Sequence, residues 1–184
     1  ASQAQTLSEQ VAGDPLADAI LASLAVQEGD KAALLSLNEA VAQAETAVYP
    51  FTLALRAEAL ISMGELDAAL ADAEQLLAEA PNLYWGYWVR GQINVAREAN
   101  PQALFDFEQA LTFAPEATLV LADQAQAYYQ SGDIPATLAD LATALNDYPA
   151  YEPALLLQAQ AHIANENAEA AQTSLDELLS VYPD

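Results

Sequence analysis

The chain has 184 residues and a formal charge of −23, with 27 acidic residues set against only Lys31, Arg56, Arg90 and Arg97. Phosphates need a basic surface, so this balance excludes nucleic acid as a partner and disfavours anionic membranes. Cysteine is absent, which removes disulfides, thiolate catalysis and cysteine-ligated zinc together.

Residues 1–13 are polar, lack the basic and apolar regions of a signal peptide, and are expected to fray. Asp14-Pro15 reads as a cap followed by proline at the first helical position. A degenerate helix pair is predicted over 14–49, with Gly29-Asp30 as its turn and Ala33 as a small packing position. No window of eighteen apolar residues follows anywhere, so direct insertion into a membrane is not expected.

From Pro50 onward the chain repeats. Pro81, Pro115, Pro149 and Pro183 are spaced by 34 residues each time. The same period carries two small-residue ladders, Ala57–Gly91–Ala125–Ala159 and Ala69–Ala103–Thr137–Ala171. It also carries two largely apolar ones, Leu53–Tyr87–Leu121–Leu155 and Ala73–Phe107–Leu141–Leu175. Steps of three and four place residues on one helical face, so each unit reads as two amphipathic helices joined by a turn. The units are 50–83, 84–117, 118–151 and 152–184, with Gly64 and Gly132 at the turns of the first and third. Asn100-Pro101 reads as the start of a second helix, Pro135 plays a similar part, and the ladder prolines end the second helices. Gly91 is expected where the two helices of its unit cross closely.

These positions resemble the tetratricopeptide repeat family, best in the unit with Tyr87, Gly91, Ala103, Phe107, Ala110 and Pro115. The resemblance implies an all-α fold, a right-handed αα-superhelix of four full repeats plus the degenerate one, forming a single solenoid over 14–184. Arg56 and Arg90 each stand sixteen residues before Asp72 and Asp106, on facing helices, and Asp140 extends the aspartate ladder. Partly buried Arg56–Asp72 and Arg90–Asp106 ion pairs are therefore expected. Binding of an anionic ligand by the arginines is the alternative.

In this family the first helices line a concave face that takes the ligand. By position that face holds Phe51, Glu58, Trp85, Trp88, Gln92, Gln126, Tyr129, Leu156 and Gln160. Glu58, Gln92, Gln126 and Gln160 form a further ladder with the 34-residue period, and the glutamine amides suit an extended peptide backbone. Trp85 and Trp88 suit a binding hot spot or inter-repeat packing. Some family members grip a terminal carboxylate with lysines, an arginine and asparagines; the matching positions here hold alanine, tryptophan and glutamine, so that clamp is absent.

No nucleophile–base constellation, glycine-rich phosphate loop or calcium loop is present, so neither an enzyme, a cofactor nor a metal is expected. His162, the single histidine, reads as packing. Leu175, Leu178 and Leu179 lie near an uncapped end, which calls for further repeats or for self-association. The resemblance implies a protein-interaction scaffold that binds a protein or peptide; the acidic charge, spread along the chain, reads first as solubility or adaptation to salt and alternatively as steering of a basic partner. A structural, assembly or spacer domain of a larger envelope or secretion protein, or a regulatory domain of a multidomain enzyme, remain the alternatives.

Overall fold

Residues 15–45 and 48–183 are described by a computed structural model. The expected fraying of 1–13 and the Asp14 cap lie outside them. The described residues form ten α-helices, one 3-10 turn and no strand. They divide into two compact units, 1–96 and 97–184, parted between the two helices of the second 34-residue repeat.

The first unit holds α1 (Pro15–Gln27), the 3-10 turn Lys31–Ala33, α2 (Leu34–Gln43), α3 (Tyr49–Ser62), α4 (Leu66–Glu79) and α5 (Tyr84–Ala96). The second holds α6 (Asn100–Phe113), α7 (Thr118–Ser131), α8 (Ile134–Asp147), α9 (Glu152–Ala164) and α10 (Ala168–Val181). Within each unit a helix packs on its chain neighbour, and first helices also pack on one another: α1 on α3, α3 on α5, α7 on α9. That pattern is what a repeat array requires, because one hairpin cannot bury its own apolar face.

The helices form because alanine and leucine dominate them, and the first helices of the hairpins end through one recurring device. Gly132 turns left-handed at φ 81°; its N–H reaches the Tyr129 carbonyl at 3.0 Å and the next N–H, of Asp133, reaches Tyr128 at 2.9 Å. This closure satisfies carbonyls that the helix end leaves open. It recurs at Gly64 (φ 79°) and at Glu166 (φ 56°), and Glu98 (φ 59°) takes the same left-handed conformation. Gly29 (φ 102°) turns the first hairpin, and Asp30 accepts a hydrogen bond from the Ala32 N–H at 3.0 Å. Ala33, half-buried, precedes α2, whose packing is done by Leu37, Ala40 and Val41.

Caps at the second helices vary. Asp133 and Asn167 accept from the N–H groups of Ala136 and Ala170, both at 3.1 Å. At α6 the cap falls one residue earlier than the Asn100-Pro101 pair suggests: Ala99 is the capping residue, with no side chain to offer. Asn100 is thereby the first helical residue, and its side-chain oxygen is buried without a hydrogen bond.

The cores are made of small residues. In the first unit Ala57, Ala69 and Ala73 are wholly enclosed beside Leu53, Leu76, Val89 and Ile93. In the second, Leu141 is enclosed by Ala125, Ala154 and Leu157. Thr137 replaces alanine in its ladder and is also fully buried, but its hydroxyl donates to the Asp133 carbonyl at 2.8 Å and so remains satisfied. A further close approach lies off the ladders. A Cβ on Gly86 would stand 2.9 Å from Leu77 Cγ and 3.2 Å from Leu76 Cβ, so α5 meets α4 backbone to side chain there. Gly91 is also buried on α5.

Candidate functional site

The face of the first unit is built on α3 and α5. Phe51 and Trp85 have ring centroids 5.2 Å apart and are tilted by 56°. Tyr84 meets the Trp85 ring edge-on at 5.9 Å and stands 6.3 Å from Trp88. Such tilted and edge-to-face contacts suit the quadrupoles of the rings. Phe51, Tyr84 and Trp85 are half-buried, whereas Trp88 is 8% exposed and offers the solvent little surface. Trp85 is anchored on the core beneath it, and Glu58 and Gln92 are half-buried on the same two helices.

In the second unit the sequence-predicted residues lie on α7 and α9. Gln126 is half-buried, Gln160 is exposed and Leu156 is 43% exposed. Tyr129 packs on the cluster around Leu141. Leu119 and Ile163 add exposed apolar surface to the same two helices, at 43% and 61%.

The first unit also holds an ion pair. Arg56 Nε donates to Asp72 Oδ2 at 2.8 Å and Nη2 donates to Oδ1 at 2.6 Å, while Nη1 reaches Asn38 Oδ1 on α2 at 3.2 Å. The fork matches the carboxylate in a way that a lysine would not. The hydrogen bonds to Asp72 push the arginine pKa above its already high ordinary value. Arg90 places its guanidinium carbon 5.7 Å from the centre of the Tyr87 ring. Asp106 is buried on α6, in the other unit.

The same ladder position is filled differently further on. In the fourth repeat Gln158 and Ser174 replace the arginine and the aspartate, and the Ser174 hydroxyl donates to Gln158 Oε1 at 2.8 Å. In the third, Gln124 and Asp140 occupy the two places, Gln124 is buried, and Asp140 Oδ2 is buried without a hydrogen bond. The aspartate ladder alone picks out Asp140 but not its missing cation. The glutamines at 124 and 158, sixteen residues before their partners, are the sequence signal for both departures.

An open cleft of about 500 Å³ lies between α1 and α2, with Asp18, Ser36, Glu39 and Gln43 around Leu21 and Ala40. Among the described residues no cluster of histidines or carboxylates could hold a metal ion, and no helix is long and apolar enough to cross a membrane.

Residues 153–184 match the tetratricopeptide repeat family. No curated protein matches the chain. Among solved structures, it is similar to a thermophilic TPR protein of Thermus thermophilus, at 20% identity, covering 92% of this chain and 91% of that one, with a TM-score of 0.80. It is also similar to PilW, a widely conserved type IV pilus biogenesis factor (17% identity, 92% and 78% covered, TM-score 0.75). A third likeness is to YrrB, a TPR protein with an unusual peptide-binding site (16% identity, 100% and 94% covered, TM-score 0.62). The last hairpin is thus a tetratricopeptide repeat by its sequence, and the chain as a whole has the tetratricopeptide-repeat fold.

Proposed function

We propose that the chain is a non-catalytic interaction scaffold that binds a basic peptide or protein segment on the faces of its first helices. The observation that carries this reading is the half-exposed aromatic group Phe51–Tyr84–Trp85, set in a chain of formal charge −23. Aromatic side chains supply large contact area at low entropic cost, and their faces attract cations. The acidic field steers a basic partner toward that surface before contact is made. In the second unit, Leu156 with Gln126, Gln160 and Tyr129 offers apolar surface beside amides that both donate and accept, which suits a peptide backbone. The likeness to YrrB, which has a peptide-binding site, supports the same reading.

The test is a panel of synthetic peptides, matched in length and varied in lysine, arginine and acid content, titrated against the chain at low and high salt. Basic peptides bind at low salt and weaken as salt rises. Trp85→Ala costs at least about 2 kcal/mol of binding, roughly thirtyfold in affinity, with the unfolding midpoint checked alongside. Equal binding of acidic and basic peptides, or no loss in a folded Trp85→Ala, rejects the reading.

A second reading, an assembly role, draws on the exposure of Leu179, Val181 and Tyr182 on and after α10. It predicts association that Trp85→Ala leaves intact and Leu179→Glu abolishes.

A further inference from the structure

Three hairpins solve one problem in three ways. Wherever a second helix buries a polar group against the first helix of its own repeat, something on that first helix must meet it. Asp72 meets Arg56, and Ser174 meets Gln158. Asp140 on α8 stands sixteen residues after Gln124 on α7, the separation of the other two pairs, the two helices pack together, and position 124 holds no cation. Gln124 is 5% exposed, so it cannot swing out and leave water to solvate the carboxylate freely. An ionised Asp140 would leave a buried acceptor facing another side chain unable to neutralise it.

We propose that Asp140 is held protonated in the folded third hairpin and donates to the Gln124 side-chain carbonyl, which makes the α7–α8 pair an acid-strengthened joint. A neutral carboxyl is a donor and a glutamine amide offers an acceptor, so protonation turns the mismatch into the kind of neutral pair that Ser174 and Gln158 form. Raising the pH replaces that neutral pair with a negative charge: the Gln124 amide N–H2 can still be offered to the carboxylate, but the glutamine brings no charge to offset it, and Oδ2 is shut away from water.

The electrostatic surroundings agree. Burial alone pushes Asp140 up from an ordinary 3.8 to about 6. From α7, the Tyr128 phenol is raised chiefly by its own burial and then by the negative charges of Asp140, Glu108 and Asp133, with no cation to offset them. The other ionisable groups on the packed helices are Asp123 and Tyr129 on α7 and Glu152 and His162 on α9, and the cause of the rise at Asp140 is its burial. The folded value lies above the unfolded one. The folded state therefore binds more protons between about pH 4 and about pH 6, and stability is lost as pH rises through that window.

The experiment follows unfolding of the full chain between pH 4 and 7.5, with Asp140→Asn and Gln124→Arg beside it, and reads the Asp140 carboxyl carbon by NMR. The many other acids also lower stability as pH rises, so the difference between variants is the readout. A pKa difference of one between the folded and unfolded chain changes the unfolding constant about tenfold. The Asp140 side chain is only half-buried, and discounting for solvent screening leaves an expected effect of about tenfold in all. Asp140→Asn removes that component from the pH profile. Gln124→Arg supplies the missing cation and gains most above pH 6, where the wild-type carboxylate is charged. An Asp140 titration midpoint near 4, or an Asp140→Asn profile parallel to wild type, overturns the proposal. The NMR titration decides it on the unmutated chain should either variant fold poorly.

Discussion

Arg56→Met will lower the stability of the first unit by about 3–5 kcal/mol, because Asp72 is left charged and unpaired at 5% exposure. Both tryptophans, Trp85 and Trp88, lie in that unit, so urea unfolding followed by their fluorescence reports it directly. The arginine makes three hydrogen bonds to two helices, and methionine keeps the packing of its stem but none of the donors. The double variant Arg56→Gln with Asp72→Ser imports the fourth repeat's neutral solution and should recover most of the loss, because no buried charge remains. A single-variant cost below about 1 kcal/mol would place the pair among solvated surface bridges.

Leu141→Ala is expected to cost about 2–5 kcal/mol, in the upper half of that range, as measured by denaturant unfolding monitored by circular dichroism. The reason lies in what surrounds it. Leu141 is fully enclosed, and two of the three buried residues packed with it are Ala125 and Ala154. Alanine has no rotamer with which to fill a hole, so the cavity stays open and its lining loses contacts outright. Leu141→Met, which conserves volume, should cost less than about 1.5 kcal/mol. If the alanine variant costs no more than the methionine one, the hairpins slide together to close the gap and the core is softer than its burial implies.

The period of the chain made its helices legible. Ladders of proline, small and large residues with the same 34-residue spacing constrain one another, so an error at one position is outvoted by the rest. The degenerate first hairpin was read from Asp14-Pro15, the Gly29-Asp30 turn and Ala33, and of these the turn shows its chemistry most plainly. What the period hid was departure from it. Glu98 and Glu166 occupy left-handed turn positions that residue preference would have given to glycine. Gly86 lies on no small-residue ladder, because its counterparts are Thr52, Val120 and Ala154, yet it is where α5 and α4 come together. Among the face residues, helix periodicity puts Trp85 and Trp88 on one helix but could not say that one is half-buried and the other enclosed. Burial is decided by which neighbouring side chains are long, and that information sits outside the helix being read.

A corner of opposite winding to the rods it joins is imposed at residues 64, 98, 132 and 166, whatever side chain stands there. Glycine takes it without strain, but a Cβ pressed toward the following carbonyl costs about 1–2 kcal/mol. Within the second unit, the α7–α8 corner at Gly132 is relaxed and the α9–α10 corner at Glu166 is cocked. The molecule thereby carries an order of unzipping in its bends: amide protons around Glu166 should exchange with deuterium sooner than those around Gly132, and Glu166→Gly should bring the two together.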